Sequence, residues 1–141
     1  MATDGNDFSR SMRIATSGLR AQAGRMRVIS ENIANADSTG QTAGGDPYRR
    51  KIPTFTSELD RTLDARVVTL GRVRPDASAF RVRYEPNNPA ADAAGNVKYP
   101  NVNSVVEMAD MREAQRSYEA NLNIISATRR MIQRTLDILK A

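Results

Sequence analysis

Six carboxylates in the middle of the chain are the residues whose chemistry could make a site. They are Glu58, Asp60, Asp64, Asp76, Glu85 and Asp92. Calcium binding and acid–base catalysis both need carboxylates at defined spacings or in close pairs. These six follow no calcium-loop spacing and form no evident pair, and they are scattered through predicted turns and caps. We therefore interpret them as turn and cap residues.

The chain contains no cysteine and no histidine. This excludes disulfides, thiolate metal sites and cysteine nucleophiles, and it removes the commonest general base and metal ligand near neutral pH. The segment "GGD" at residues 44–46 is not a phosphate loop, because no Lys-Ser/Thr follows it and no strand precedes it. The sequence predicts no catalytic residue, no metal site and no cofactor, and it argues against an enzyme.

Arginine dominates the charge of the protein, since 18 of its 21 basic residues are Arg and the net charge is +5. Residues 67–74 and 80–84 are predicted to form a β-hairpin around the turn "PDAS". Because side chains alternate along a strand, Arg72 and Arg74 share one face, as do Arg81 and Arg83. This Arg-rich β-ribbon could dock on an acidic protein partner, bind nucleic acid, or remain a solvated face screened by salt.

A heptad pattern runs through the N-terminal region. Side chains recur at alternating steps of four and three residues, with one polar member: Phe8, Met12, Ala15, Leu19, Gln22, Met26, Ile29 and Ile33. The spacing predicts a helix, roughly 40 Å long at about 1.5 Å per residue, with Asn6 or Asp7 as its N-cap. It could be the core helix of a small bundle or an assembly helix that packs on other chains.

The C-terminal region predicts a longer helix, roughly 55 Å at about 1.5 Å per residue. Ser104 is expected to cap it, with Glu107 three residues on completing a capping box. Its seam again alternates steps of three and four: Met108, Met111, Gln115, Tyr118, Leu122, Ile125, Arg129, Ile132, Leu136 and Leu139. A flanking stripe of Ile124, Met131 and Ile138 widens the apolar face beyond what one helix would cover, which indicates self-association or a helical partner.

The region between the helices holds all six prolines. Besides the hairpin, we expect one or two helical turns at residues 54–65, a loop at 85–96 and a short extended entry to the last helix. The predicted fold is mainly α with a small β part, in which residues 1–36 and 103–141 pair as a coiled coil in one discontinuous core domain. Residues 37–102 form the loop and hairpin region inserted between the helices.

A long polar run follows the first helix and is predicted to end it after Ala34 or Ala36, because its side chains compete for backbone hydrogen bonds. The plain interpretation is a helix stop and a flexible loop. Tyr48 and Arg49 begin the outward segment and are expected to brace it on a neighbour. This junction motif comprises Asn32, Asn35, Ser38, Thr39, Tyr48 and Arg49.

Both ends of the chain resemble a known family. The segment "SGLRAQAGRMRVISENIANADST", with "YRRK" after it, resembles the N-terminal motif of bacterial flagellar axial proteins, the rod and hook family. The segment "YPNVNSVVEMADMREAQRSYEANLNIISATRRMIQRTLDILKA" resembles the C-terminal motif of the same family. The piece "RYEPNNPAADAAGNVKYPNVN" is similar to the proximal rod members, although Asn88-Pro89 stands where the family has His-Pro.

The resemblance implies a structural subunit of the flagellar basal-body rod, whose terminal helices order when they pair in the rod and which transmits torque across the periplasm. It implies export from the cytoplasm through the flagellar type III apparatus without a cleaved signal. The implied partners are further copies, other proximal rod subunits, the distal rod and an adaptor beside the MS ring, with no nucleic acid and no membrane span. The expected assembly interface is Met12, Leu19, Met26, Ile29, Ile33, Met108, Met111, Tyr118, Leu122, Ile125, Ile132, Leu136 and Leu139.

Overall fold

The computed structural model describes residues 4–140 and consists of two long helices with six short strands between them. The helices are α1 (Asp4–Ala34) and α2 (Ser104–Lys140). The strands are β1 (Lys51–Ile52), β2 (Phe55–Asp60), β3 (Ala65–Leu70), β4 (Arg74–Pro75), β5 (Arg81–Tyr84) and β6 (Asn96–Tyr99). The prediction of a mainly α fold with a small β part is confirmed.

The chain divides into two compact units. Unit 1 contains the described residues up to 25, residues 55–71 and the described residues from 113 onward. Unit 2 contains residues 26–54 and 72–112. Among residues 4–140, no helix combines the length and the apolar character needed to cross a membrane.

Helix α1 spans the predicted heptad, and its buried residues fall both on the predicted positions and one residue before them, at Ala21, Val28 and Asn32. None of the predicted seam positions is exposed, and Ala15 and Ile29 are fully buried. Asn6 and Asp7 lie inside the helix, which already includes Asp4, so their prediction as N-caps is wrong. The helix ends at Ala34, the first of the two predicted ends. Beyond it the backbone hydrogen bonds join residues three apart, as in turns; for example, Ser38 N donates to the Asn35 carbonyl at 3.2 Å.

Helix α2 begins at Ser104, but its N-cap is the preceding residue. The Asn103 side-chain oxygen accepts hydrogen bonds from the backbone N–H groups of Val105 at 3.1 Å and Val106 at 3.4 Å. The Glu107 backbone N–H donates to the Asn103 carbonyl at 3.0 Å, which closes the first helical turn. The predicted capping box on Ser104 is therefore wrong, because asparagine one residue earlier already satisfies the free N–H groups and leaves the Glu107 carboxylate available elsewhere.

The buried stripe of α2 is shifted by one residue from part of the predicted seam. Glu107, Ala114 and Thr128 are buried at multiples of seven residues, whereas the predicted seam residues that follow them, Met108, Gln115 and Arg129, are exposed. The other half of the seam, at Met111, Tyr118, Ile125 and Ile132, is partly covered. Small and polar side chains thus occupy the closest packing positions, and large apolar ones remain uncovered.

The predicted hairpin of residues 67–74 with 80–84 is absent from the described residues. Strand β3 pairs antiparallel with β2, from Phe55 opposite Leu70 to Asp60 opposite Ala65. Strand β5 pairs with β6, and β1 pairs with β4. The predicted helical turns at residues 54–65 are also wrong, because β2 occupies most of that segment.

Local turn chemistry explains the β2–β3 pairing. The Asp60 carboxylate accepts a hydrogen bond from Thr62 N at 2.9 Å, and Asp64 adopts a positive φ of 47°. An Asx turn followed by a left-handed residue is a hairpin signal that Asp supplies well. Leu63 in this turn is buried and anchors the hairpin in unit 1.

The loop before β6 agrees with its prediction. Asp92 is a turn residue, since its carboxylate accepts from Ala94 N and Asn96 N, each at 2.9 Å. Gly95 lies at φ +83°, where a side chain would also meet the Tyr84 ring at 2.8 Å, so only glycine fits. Strand β6, the predicted extended entry to α2, places Val97 in the core of unit 2.

Candidate functional site at the helix–loop junction

Asn32 is the centre of a polar cluster in unit 2. Its side chain is fully buried near the end of α1. Its amide nitrogen donates to the Lys51 carbonyl at 2.8 Å and to a Glu107 carboxylate oxygen at 3.0 Å. Its amide oxygen accepts from Lys51 N at 2.9 Å and from the Tyr48 hydroxyl at 2.8 Å. One amide side chain therefore joins α1, the outgoing segment before β1 and the first turn of α2.

Glu107 completes this cluster as a buried carboxylate. It is 1% exposed, and it receives the Arg50 guanidinium at 2.6 Å on one oxygen and Asn32 on the other. Arg50 also lies 3.3 Å from the Asp76 carboxylate. Burial alone would lower the pKa of Arg50, but the hydrogen bonds and charges of Glu107 and Asp76 together outweigh it and raise that pKa. A buried charge needs such paired, hydrogen-bonded partners.

Asp76 and Asn101 hold the other side of Arg50. The pKa of Asp76 is lowered, first by the hydrogen bond from the Ser78 backbone N–H and further by Arg50. The Asn101 side chain accepts from Arg50 N at 2.8 Å and donates to the Ser78 hydroxyl at 2.8 Å. The arginine is thus fixed by its backbone and by its guanidinium.

Tyr48 lies against two carboxylates. Burial, together with the negative charges of Glu31 and Glu107, raises the pKa of Tyr48 to about 12. Lys51 pairs with Glu31 and lies 5.7 Å from the centre of the Tyr48 ring. The phenol is therefore held protonated, as a donor to Asn32, well into the alkaline range.

Raising the pH should expose this coupling. A phenol whose pKa is about 12 in the folded chain and about 10 in the unfolded chain binds more protons when folded between these values. Its contribution to stability is therefore complete below about pH 10 and is lost as the pH rises toward about 12. We expect the free energy of unfolding to fall more steeply over this window in the parent chain than in Tyr48→Phe. Tyrosinate absorbance of the parent minus the variant should show a late transition, and a transition near pH 10 would contradict the geometry.

The remaining motif residues act within the chain. The Arg49 guanidinium donates to the carbonyls of Asp76 at 2.9 Å and Ser78 at 3.1 Å and lies 4.1 Å above the Phe80 ring. Asn35 donates to the Glu31 carbonyl at 2.8 Å, which finishes α1. Ser38 donates to the Asn35 carbonyl at 2.9 Å, and Thr39 is half-buried. Tyr48 and Arg49 therefore brace their own chain.

The four arginines of the predicted ribbon are not brought onto one sheet. They are Arg72 in a loop, Arg74 on β4, and Arg81 and Arg83 on β5. Arg81 donates to the carbonyls of Pro100 at 3.0 Å and Ala36 at 2.9 Å. Arg83 lies 5.1 Å from the centre of the Tyr99 ring. The prediction of an Arg-rich β-ribbon is wrong, because β3 pairs with β2 and β5 pairs with β6. The stacked cationic face therefore does not form.

Sequence reasoning missed the members of the cluster that come from distant segments. The sequence predicted Glu107 as part of a capping box, Asp76 as a turn or cap residue, and Asn101 only as part of the extended entry to α2. One sequence signal could have identified Glu107. It is a charged residue that lies between two apolar neighbours on a helix, Val106 and Met108. A buried charge at such a site implies a partner from elsewhere in the chain.

Long helices at both ends of a chain, with large apolar side chains exposed along one of them, are typical of subunits that assemble with other chains. Residues 12–40, which contain most of α1 and its end, match the family described as flagella basal body rod protein. Residues 93–138, which contain β6 and nearly all of α2, match the family described as flagellar basal body rod FlgEFG protein C-terminal.

Full-length similarities agree with these two matches. The chain is 54% identical over 134 residues to the flagellar basal-body rod protein FlgC of Agrobacterium fabrum, covering 95% of this chain and 96% of that protein. It is 36% identical to FlgC of Aquifex aeolicus, with coverage of 95% and 98%, and 40% identical to FlgC of Salmonella typhimurium, with coverage of 89% and 92%. The chain belongs to the FlgC family of flagellar basal-body rod proteins, which is a structural family. The family resemblance read from the sequence is confirmed, and nothing here favours nucleic-acid binding.

Proposed function

We propose that this chain is a rod subunit that assembles through α1 and α2 into the axial shaft of the flagellar basal body and transmits torque across the periplasm. The observation that carries the proposal is the uncovered apolar surface of α2. Met108, Leu122, Leu136 and Leu139 of the predicted interface are exposed, up to 77% at Leu139. Large apolar stripes of this kind mark surfaces that other chains cover.

The terminal helices are proposed to pair as an antiparallel coiled coil that forms one core domain, with residues 37–102 as the inserted region. Three contacts support this pairing. In unit 1, Gly18 faces Asn121, with 2.9 Å from an added Cβ to the amide nitrogen, and Arg25 lies 3.6 Å from Glu113. In unit 2, Asn32 bonds Glu107. The three α1 residues follow one another at steps of seven residues. Their partners on α2 follow in the reverse order, at steps of eight and then six residues, which is close to the spacing of a heptad seam.

The interface of the assembled shaft is proposed to combine partly covered and exposed positions. The partly covered or buried positions would belong to the pairing of α1 with α2: Met12, Leu19, Met26, Ile29, Ile33, Met111, Tyr118, Ile125 and Ile132. The exposed positions would meet neighbouring subunits. Because these contacts form only on assembly, we expect the isolated chain to gain helicity when rod partners are added.

The wider setting is proposed from the family. Neighbours would be further copies, other proximal rod subunits, the distal rod and an adaptor beside the MS ring. The chain would pass from the cytoplasm through the flagellar type III export apparatus without signal cleavage and reside in the periplasm-spanning rod. It would act without catalysis or a cofactor.

Truncation tests the assembly surface. Deleting residues 132–141 removes the last heptad of the seam, so we expect loss of rod assembly and of swimming when the truncated chain replaces the parent in cells. The control is Gln133→Ala with Asp137→Ala, which removes an exposed polar pair bonded at 3.1 Å and leaves the apolar side chains in place. Swimming retained by the deletion would contradict the proposal, as would equal loss in the control.

A further inference from the structure

A cleft of about 660 Å³ opens on unit 2 and shares residues with the junction cluster. It is lined by side chains from the last turns of α1, from the segment that leads into β1, and from β4 with the residue before it. Its charged lining residues are four cations and one carboxylate: Arg27, Arg49, Lys51 and Arg74, with Glu31. We call this site the basic cleft, and neither the apolar surface of α2 nor the junction cluster accounts for its charge.

Contacts within the chain leave most of this charge unneutralised. The Glu31 carboxylate is paired with Lys51. Arg49 donates to backbone carbonyls, which carry no net charge. The side chains of Arg27 and Arg74 are exposed, and they make no hydrogen bond or ion pair with any residue in the part of the chain that the structure describes. Two guanidinium groups therefore stand at the cleft with their donors directed to solvent.

The junction cluster beside the cleft does not cancel this excess. Its Arg50 is shared between the carboxylates of Glu107 and Asp76. Counting these three residues with the lining still leaves an excess of two positive charges. A cleft lined by one sign of charge concentrates its field between low-dielectric walls and draws in partners of the opposite sign. The basic cleft is thus suited to an anionic partner.

The uncharged lining indicates a polypeptide as this partner. Val28, which is 5% exposed, lines the cleft together with Val73 and Pro75. Apolar side chains of a peptide can cover these residues, while its carboxylates accept the paired N–H groups of arginine. A nucleic-acid duplex presents about one charge per 1.7 Å of its axis and fits a long basic face. The stacked arginine face that could have met it does not form in this chain.

We propose that the basic cleft docks an acidic segment of a neighbouring protein in the shaft, with carboxylates on Arg27 and Arg74. A chain of a different kind is favoured over a second copy, because this chain carries a net charge of +5 and two copies repel each other as a whole. Tyr48 and Lys51 belong both to the cleft and to the junction cluster, so an occupied cleft would also brace the joint between α1 and α2. The inference rests on the proposed function, since it names the chemistry of a neighbour.

Peptide binding tests the cleft on the full-length chain. The probe is a fluorescein-labelled peptide of alternating glutamate and valine, and its binding is followed by anisotropy at low salt. We expect Arg27→Gln with Arg74→Gln to raise the Kd about ten-fold, which corresponds to about 1.4 kcal/mol for two exposed charge contacts. The matched control is Arg61→Gln with Arg66→Gln, which removes the same charge from exposed positions of unit 1 and should change the Kd less than about two-fold.

Three results of this experiment would overturn the proposal. The first is an equal loss in the two variants, which would mean that only the overall charge attracts the peptide. The second is the absence of binding to the parent chain, or equal binding of a peptide in which glutamine replaces glutamate. The third is tighter binding of single-stranded oligothymidine with the same loss in the cleft variant, which would identify the occupant as a nucleic acid.

Swimming separates this inference from the proposed function. Arg27→Glu with Arg74→Glu, placed in cells that lack the parent chain, should reduce swimming, whereas Arg61→Glu with Arg66→Glu should not. Since the new carboxylate at position 27 lies one helical turn from Glu31, the Gln pair is tested as well, and it should reduce swimming to a smaller extent. Full swimming of both cleft variants would overturn the docking and leave the rod assignment standing. Failure of the unsubstituted chain to restore swimming would instead count against the rod function.

Discussion

Replacing Glu107 with alanine is expected to lower the free energy of unfolding of the junction by about 3 kcal/mol. The carboxylate is 1% exposed and bonds Arg50 at 2.6 Å and Asn32 at 3.0 Å. Its loss leaves a partly buried guanidinium without its nearest partner, which is the costly way to break a buried ion pair. Because Asp76 still lies 3.3 Å from Arg50, the loss should fall at the lower end of the usual range. Urea unfolding followed by tyrosine fluorescence measures it.

The matched control is Glu113→Ala on the same helix. Its side chain is 67% exposed and lies 3.6 Å from Arg25, and exposed pairs contribute at most about 1 kcal/mol. Equal midpoints for the two variants would show that Glu107 is not a structural centre of unit 2. A large loss in both would indicate that the variants disturb α2 itself.

Replacing Asn32 with aspartate should cost about as much, on the order of 3–4 kcal/mol near pH 7. The substitution keeps the shape of the side chain but exchanges a donor for a carboxylate oxygen that faces Glu107 Oε2, where Asn32 now donates at 3.0 Å. Two carboxylates in one buried site disfavour ionisation. The new carboxyl therefore has a raised pKa in the folded state, and the variant should recover stability as the pH falls and this group binds a proton.

Asn35→Asp is the control for this experiment. Asn35 is half-buried, and its side chain donates to a carbonyl of its own helix, that of Glu31, at 2.8 Å. We expect a small loss with little recovery on acidification. A pH-independent loss in Asn32→Asp would mean that repulsion from Glu107 is not its cause, and no loss would mean that the amide donor is dispensable.

The helices and the boundary between them could be read from the sequence because they depend on local periodicity. The spacing of the seam from Phe8 to Ile33 predicts α1, and the polar run after Ile33 predicts its end, which the structure places at Ala34. The prolines and glycines between the helices likewise predict turns, as Asp92 and Gly95 show. Each of these features needs only neighbouring residues to compete for the same hydrogen bonds.

Strand pairing could not be read in the same way. The local sequence of β3 is compatible with pairing either to β5, which follows it, or to β2, which precedes it. The Asx turn at Asp60 and the left-handed conformation of Asp64 favour the pairing with β2. The helix start failed for a related reason, since Asn103 and Ser104 are both good caps and adjacent. Where two neighbouring choices are locally equivalent, tertiary packing selects between them.

The sequence by itself determined the two long helices and the end of the first, the absence of cysteine and histidine chemistry, and the membership of the flagellar rod family, because these depend on residue types and local spacing. Only the tertiary structure decided that Asn32, Arg50 and Glu107 meet, and that Arg49, Arg81 and Arg83 contact separate partners. Asn32 and Glu107 are 75 residues apart along the chain. A buried polar contact between such distant residues is specified by packing and desolvation, for which a one-dimensional pattern carries no signal. The polar run after α1 was interpreted as a plain helix stop. In the structure, the residues that border it contact Glu107 and so join the end of α1 to the first turn of α2.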